Sequence, residues 1–278
     1  MITSLLRRFL LPIFQRINPG DITITHPYSK DRIKLHSFRH KGYWWHGAKR
    51  EASTMEAFKH WIKPGDTVLE VGGHIGYISM WFAHLVGTQG DVTVFEPGTN
   101  NLPYIRWNIR NHPNIYLIEK AAGEKNCSMK MYTEDLTGQN NSLVPNFSAL
   151  EKNEKNAFAI SVVPIEVDVI SLDTWMQTQA KPPSLIKIDV EGFEYEVLNG
   201  ARSLLKSVRP IVMVEVQSHQ IEIFRLFSEL NYVLSRANGQ RVEKPEDFCL
   251  NTFCVPEERF EAEKKQHGRR KQNVASAA

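Results

Sequence analysis

The 278-residue sequence predicts an α/β fold with a doubly wound, mostly parallel sheet of seven strands and a small N-terminal accessory region. Two observations lead to this prediction. From residue 66 onward, apolar strand patterns alternate with amphipathic helix patterns, which is typical of parallel sheets covered by helices on both faces. In addition, glycines or carboxylates follow several of these strands, and such sheets bind their ligands at the carboxyl ends of strands.

The composition is that of a globular protein, with 42% hydrophobic and 23% charged residues. The net charge of +3 is too small to indicate a nucleic-acid partner. The three cysteines have no metal-binding spacing, so we expect reduced thiols in a cytoplasmic protein. The basic, apolar segment 5–17 predicts a helix that packs, frays or weakly contacts a membrane surface rather than a secretory signal.

Three regions are predicted: an accessory region at 1–60, a main domain at 61–258 and a basic, disordered tail at 259–278. In the accessory region, the residue patterns predict two strands and a helix, namely Asp21–His26, Arg32–Phe38 and Glu51–Trp61. The aromatic cluster 43–46 is expected to pack this region onto the main domain. Stacking on a sugar ring is its alternative role.

In the main domain, strands are predicted at Thr67–Val71, Val92–Glu96, Ile115–Glu119, Leu185–Asp189, Ile211–Val216, Tyr232–Ser235 and Phe248–Val255. Helices are predicted at Ile75–Val86, Thr99–Asn111, Phe193–Ser207 and His219–Leu230. An insert, 122–183, separates the third strand from the fourth. It is expected to contain two edge strands and a short helix, at Ser128–Tyr132, Ile160–Val167 and Leu172–Gln177.

A glycine-rich turn joins the first of these strands to its helix in Thr67–Gly76, TVLEVGGHIG. Glycines allow a ligand to approach the backbone closely, and a helix start offers free N–H groups. The next strand ends on Glu96, about twenty residues after Gly76, where a carboxylate can accept hydrogen bonds from ribose hydroxyls. The combination predicts a nucleoside-containing cofactor, although glycines that serve only tight packing remain an alternative.

The glycine spacing disfavours a nicotinamide-dependent oxidoreductase. A dinucleotide fingerprint needs glycines at its first, third and sixth positions, and counting from Gly72 the last two are His74 and Tyr77. Glu70 would also repel a pyrophosphate. A carboxylate there can instead help to hold the ammonium of a cationic ligand, directly or through water.

A second motif, IKIDVEGFEYEVLNG, occupies Ile186–Gly200. Asp189 ends a central strand, which suits contact with a cationic donor or a substrate hydroxyl. Glu191 follows at a helix start, where the helix dipole favours it and a capping role is the alternative. Lys187 lies between two apolar residues of the strand, so we expect it to pair with a nearby acid.

The motifs EVGGHIGY, FEP, EKAAG, VISLDTW and IKIDVEGFEYEVLNGA occur in this order between residues 51 and 255. Together they resemble the FkbM-type family of S-adenosylmethionine-dependent methyltransferases. The resemblance implies a class I methyltransferase (Rossmann-like) fold, S-adenosyl-L-methionine as cofactor, and O-methylation of a hydroxyl on a sugar, glycan or related metabolite. One departure is that Gly73-His74 replaces the usual Ala-Asn.

The resemblance also implies a set of cofactor-binding residues, namely Glu70, Gly72, Gly73, His74, Gly76, Glu96, Ala121 and Asp189. Glu96 would take the ribose hydroxyls, and Ala121 with Ala122 would leave room for the adenine ring. The polar run 140–142 matches a patch near the substrate side of the pocket, with an exposed loop as the alternative.

Methyl transfer to a hydroxyl is an in-line displacement, which needs positioning of the reactants and a base. The candidates, in order of preference, are Asp189, Glu191, Glu215 and His219. No metal is expected, although the three carboxylates could serve a metal-assisted reaction. The remaining alternative is a non-catalytic module that binds a glycan or a partner protein through the same fold.

Overall fold

The computed structural model describes residues 19–134, 137–145 and 162–265. The strands, in chain order, are β1 (Asp21–Thr25), β2 (Arg32–His36), β3 (Thr67–Val71), β4 (Asp91–Phe95), β5 (Ile115–Ile118), β6 (Ala121–Ala122), β7 (Cys127–Glu134), β8 (Val162–Ile170), β9 (Leu185–Ile188), β10 (Ile211–Glu215), β11 (Tyr232–Arg236) and β12 (Asn251–Pro256). The α-helices are α1 (Lys41–His46), α2 (Ala52–Trp61), α3 (Tyr77–Val86), α4 (Leu102–Ile109), α5 (Leu172–Met176), α6 (Glu194–Asn199), α7 (Arg202–Ser207) and α8 (Gln220–Glu229).

The main sheet has the strand order β11-β12-β10-β9-β3-β4-β5. The five strands from β10 to β5 are parallel, whereas β12 runs antiparallel to both β10 and β11. The chain proceeds outward from β3 in one direction and from β9 in the other, so the strand order reverses between these two strands. This arrangement confirms the predicted doubly wound, mostly parallel seven-stranded sheet and places its ligand crevice at the β3–β9 junction.

Two apolar clusters lie on opposite faces of this sheet. In the central strands, Leu69 and Ile186 belong to one cluster, whereas their chain neighbours Val68 and Leu185 belong to the other. This alternation follows from the two-residue period of a strand, and both faces are apolar because helices cover both sides.

The accessory region shares the core of the main domain. Strands β1 and β2 form the predicted antiparallel hairpin, and α2 buries Phe58 in the same cluster as Val68. The ring centroid of Phe58 lies 4.7 Å from that of Phe82 in α3 and 5.7 Å from that of Phe253 in β12. The predicted boundary between residues 60 and 61 therefore lies inside α2, within one continuous core.

One prediction about a helix is wrong. The single helix expected at 193–207 is divided into α6 and α7 at Gly200, where a Cβ atom would lie 1.9 Å from the carbonyl oxygen of Gly123. A further helical segment, 257–265, extends across the predicted start of the tail at residue 259. In it, Phe260 packs against the core and Glu263 lies 3.3 Å from His60.

The insert contributes a smaller sheet with the order β6-β8-β7. The predicted segment 5–17, and the tail from residue 266 onward, lie outside the described residues. No helix of the ranges that the structure describes combines the length and the apolar character required to span a membrane.

The close packing of the glycine turn predicts that Gly72→Ala destabilises the protein more than the matched change Gly65→Ala. Both glycines have left-handed φ angles, +90° and +88°. A Cβ atom at Gly72 would lie 1.8 Å from the carbonyl oxygen of Asp189, whereas nothing lies within 4 Å at Gly65. We expect a loss of about 1 kcal/mol for Gly65→Ala and about 1–3 kcal/mol more for Gly72→Ala. Urea unfolding measures both, and equal losses would contradict the prediction.

Candidate functional site

A pocket of about 270 Å³ lies at the carboxyl ends of β3, β4, β9 and β10. Its wall combines the glycine turn after β3, the ends of these strands, and side chains from the accessory region. It includes most of the residues predicted from the sequence, namely Glu70, Gly72, Gly73, His74, Glu96, Ala121, Asp189, Glu191 and Glu215. The crevice expected at the reversal of strand order is therefore where these candidate residues converge.

Two glycines of the turn, Gly72 and Gly73, line the pocket, whereas the third, Gly76, does not. Gly72 packs on the backbone of Asp189, and Gly72 and Gly73 both donate their N–H groups to the carbonyl oxygen of Phe95, at 3.0 and 3.1 Å. Gly76 is not part of the pocket wall. A Cβ atom there would lie 3.0 Å from Ile105 of α4, so this glycine permits close helix packing rather than ligand contact.

The Glu96 carboxylate is almost completely buried at the end of β4 and faces the pocket. It accepts hydrogen bonds from the backbone N–H groups of His74 (2.6 Å) and Gly98 (2.8 Å), and from the amide of Asn101 (3.2 Å). Burial raises the pKa of Glu96 to about 7. A carboxylate can accept about four hydrogen bonds, so these donors fix its orientation and leave capacity for a ligand hydroxyl.

Lys187 is buried in β9 and binds three acceptors. Its ammonium lies 3.1 Å from Asp189 and 3.5 Å from Glu70, and it donates to the carbonyl oxygen of Gly72 at 3.0 Å. Burial lowers the pKa of Lys187, but the two carboxylates more than compensate and hold it above its ordinary value. This geometry confirms the predicted pairing of Lys187 with a nearby acid.

Both carboxylate oxygens of Glu70 already contact other side chains, which limits its predicted contact with the cofactor. One of its oxygens accepts a 2.6 Å hydrogen bond from the Ser79 hydroxyl, and the other faces Lys187. Burial raises the pKa of Glu70 to about 7, although Lys187 acts in the opposite direction. Within the described residues, Glu70 therefore orients Lys187 at the floor of the pocket.

Three carboxylates converge beside Lys187, and one of them, Asp189, is also its ion-pair partner. Asp189, Glu191 and Glu215 each offer an oxygen atom, and these atoms lie within 4.8 Å of one another. The amide of Gln217 donates to Glu191 at 2.9 Å and to Glu215 at 3.0 Å. Burial, together with the charge of Asp189, raises the pKa of Glu191 and that of Glu215. These two groups therefore retain protons to a higher pH than ordinary carboxyls.

Two predicted histidines have different surroundings. His74 lies in the pocket wall, where its Nδ1 atom is 2.9 Å from the Tyr43 hydroxyl and burial lowers its pKa well below the ordinary value. His219 is exposed at the start of α8, where it stacks on Tyr195 with ring centroids 5.3 Å apart. It does not line the pocket in which the other candidates converge, and its catalytic role stays a prediction that this geometry does not favour.

Side chains of the accessory region also line the pocket, namely those of Tyr43, Arg50 and Glu51. Tyr43 packs on Tyr77, with ring centroids 4.7 Å apart, which agrees with the packing role expected for the aromatic cluster. No motif in the sequence indicated Arg50 or Glu51. Their only signal was a charged pair at the start of a predicted helix.

Comparison with known proteins finds a family model that matches the part of the chain forming most of this pocket. The family model of the methyltransferase FkbM domain matches residues 70–242, more than half of the chain. The match contains the glycine turn, Glu96 and the three clustered carboxylates. It leaves out the accessory region. No curated protein matches the sequence.

Solved structures with a similar fold include the methyltransferase FkbM from Methylobacillus flagellatus KT, at 16% identity and a TM-score of 0.45. The match covers 72% of this chain and 50% of that one, so the chain spans about half of that protein's length. A SAM-dependent methyltransferase from Aquifex aeolicus is 12% identical, with a TM-score of 0.40 and coverage of 76% and 93%. Fibrillarin from Aeropyrum pernix, solved with natively bound S-adenosyl-L-methionine, is 10% identical, with a TM-score of 0.41 and coverage of 84% and 88%.

Removal of the buried ammonium is expected to destabilise the protein. Lys187→Met leaves Glu70 and Asp189 without their shared cation and should cost about 3–5 kcal/mol. The control Lys120→Met breaks the exposed 3.0 Å pair with Asp168 and should cost at most about 1 kcal/mol. Denaturant unfolding at neutral pH measures both variants.

The double variant Glu70→Gln/Lys187→Met is expected to recover part of this loss, because it removes one of the unpaired carboxylates together with the cation. If the double variant were less stable than Lys187→Met by the full cost of a second independent change, the two side chains would not be coupled.

Proposed function

We propose that this chain, which belongs to the FkbM family of methyltransferases, transfers a methyl group to a hydroxyl oxygen of a sugar, glycan or related metabolite. Family membership makes the protein a methyltransferase with S-adenosylmethionine as its cofactor. The hydroxyl acceptor is our proposal. The observation that supports it is the cluster of Asp189, Glu191 and Glu215 in the wall of the cofactor pocket.

The residues of the pocket fit this cofactor. Glu96 has hydrogen-bonding capacity for ribose hydroxyls, and its orientation is fixed by three donors. Ala121 is a small, buried wall residue in β6, where a larger side chain would take space needed by the adenine ring. Gly72 and Gly73 line the pocket with their backbone, and they pack so closely on Asp189 and Val94 that no side chain fits there. We therefore assign these residues to cofactor binding.

When bound, the cofactor supplies an electrophilic methyl group on a sulfonium centre. The acceptor hydroxyl must lose its proton as the new bond forms, and a positioned carboxylate can accept that proton. Asp189, Glu191 and Glu215 lie close enough together to hold a hydroxyl by hydrogen bonds and to share the proton afterwards. Their raised pKa values make Glu191 and Glu215 stronger bases than ordinary carboxylates.

The function can be tested with the full chain, labelled S-adenosylmethionine and a panel of monosaccharides, nucleotide sugars and extracted glycans. We expect binding of S-adenosylhomocysteine by calorimetry and a product with one added methyl group by mass spectrometry. Asp189→Asn should lower kcat at least about a hundredfold, whereas the exposed control Asp168→Asn should leave it unchanged. Binding of S-adenosylhomocysteine without any methylated product from the panel would favour the non-catalytic module instead.

The pH dependence provides a second test. Because Glu191 and Glu215 keep their protons above the ordinary carboxyl range, the base becomes available only as the pH rises, so kcat/KM should increase with pH. Glu191→Gln removes a neighbouring carboxylate whose charge raises the pKa of Glu215, so it should move the rising part of the profile to lower pH. A profile that Glu191→Gln does not move would contradict the cluster as the base. Loss of the wild-type rate in a chelator, with recovery on adding Mg²⁺, would indicate a metal-assisted reaction instead.

A further inference from the structure

Arg50, a residue of the accessory region, presents a cation to the pocket. It lies immediately before α2 and lines the pocket wall. Its guanidinium carbon is 4.4 Å from the centroid of the Tyr43 ring, and its Nη1 atom lies 2.9 Å from the position of a Cβ atom at Gly42. The aromatic ring and the glycine backbone therefore hold the guanidinium in place.

Two polar atoms of this corner lack hydrogen-bond partners. Among the described residues, the Nε atom of Arg50 and the hydroxyl of Tyr77 are both buried without a hydrogen bond. The nearest carboxylate, that of Glu51, lies 3.2 Å from Nε but is not aligned for a hydrogen bond. Tyr77 is 3% exposed and lines the same pocket. Buried donors without acceptors are unfavourable, so their position in a pocket wall points to a ligand that brings acceptor atoms.

The other cations in the described pocket wall are already paired. Lys187 binds two carboxylates and a carbonyl oxygen, and Lys120 pairs with Asp168 at 3.0 Å. Burial keeps His74 neutral. Arg50 also has an ion-pair partner, Glu51, but this contact is made through Nε. A guanidinium has five N–H donors, so Arg50 keeps capacity for a second anion and can match a carboxylate through two parallel hydrogen bonds.

The cofactor carries one such anion, the α-carboxylate of its methionine half. Elsewhere the pocket presents Glu96 and the cluster of Asp189, Glu191 and Glu215, and these acids would repel a carboxylate. We propose that Arg50, assisted by the hydroxyl of Tyr77, binds the α-carboxylate of S-adenosylmethionine. This proposal rests on the family's cofactor and adds a residue that lies outside the matched domain.

Glu51 complements this assignment. Its backbone has a left-handed φ of +52°, which is unfavourable for a residue with a side chain and is tolerated where the surrounding structure requires it. The carboxylate lies beside the guanidinium and lines the pocket, where it can accept the α-ammonium of the same amino-acid group. The two neighbouring residues would then recognise the two opposite charges of the methionine half.

The test compares two ligands that differ in the methionine half of the cofactor. S-adenosylhomocysteine carries the amino-acid group, whereas 5′-methylthioadenosine lacks it. We expect Arg50→Gln to weaken S-adenosylhomocysteine about ten- to a hundredfold in calorimetry, and to leave the affinity for 5′-methylthioadenosine within about twofold. Arg50→Lys, which keeps the charge but loses the planar fork, should have an intermediate effect. The exposed neighbour Lys49 offers the control Lys49→Gln, which should change neither affinity.

Each other result overturns the proposal. If Arg50→Gln and Arg50→Lys weaken both ligands equally, the role of Arg50 is structural. If S-adenosylhomocysteine binds unchanged while the KM of an anionic acceptor rises, Arg50 binds the acceptor instead of the cofactor. If the wild-type protein binds neither ligand, the cofactor assignment fails as well, which distinguishes that failure from a failure of the Arg50 proposal alone.

Discussion

The ammonium group of Lys187, whose side chain is 2% exposed, lies among two carboxylates and a carbonyl oxygen at the centre of the sheet. A charge in such a place persists only when its partners are aligned with it. Glu70 and Lys187 are register partners in the parallel pair β3 and β9. A slip of one residue would turn the ammonium toward the apolar cluster on the other face, so the ion pair also selects the register.

The same interaction connects the fold to the chemistry. Lys187 binds the carbonyl oxygen of Gly72, and Gly72 packs directly against the backbone of Asp189. The glycine turn and the carboxylate cluster are therefore positioned by one cation rather than by two independent elements. Glu191 and Glu215 lie close to Asp189, which is also a partner of this cation. Burial, together with the charge of Asp189, raises the pKa values of Glu191 and Glu215. The pocket thus has a floor of paired charges and, beside it, two carboxyls that retain their protons to a higher pH than ordinary carboxyls and can exchange them with a ligand.

The sequence predicted those features that depend on local patterns. The central strands are short apolar runs bounded by turn residues, and β3 has the predicted bounds. The pairing of Lys187 was predictable because a lysine between two buried isoleucines has few alternatives. The break at Gly200 was not, since it results from contact with the distant backbone of Gly123.

The site residues also divide into those that a local pattern indicates and those that depend on contacts between distant parts of the chain. Glu96 and Asp189 were found because each ends a strand at the edge where ligands bind. His219 lies outside the pocket wall because a helix start can face away from the pocket, and only the packing of α8 determines its direction. Arg50 was missed because its significance depends on contacts with Tyr43 and the pocket, which are encoded far apart in the chain.

The accessory region therefore forms part of the pocket wall. Phe58 places α2 in the core beside α3, and this packing fixes the residues just before α2 against the pocket. The matched family domain begins at residue 70, yet Tyr43, Arg50 and Glu51 line the same cavity as its glycine turn. A pocket wall built from both parts closes only when the core that joins them is formed. Ligand binding and the docking of the accessory region are consequently linked, since a ligand that contacts both parts stabilises their association by mass action.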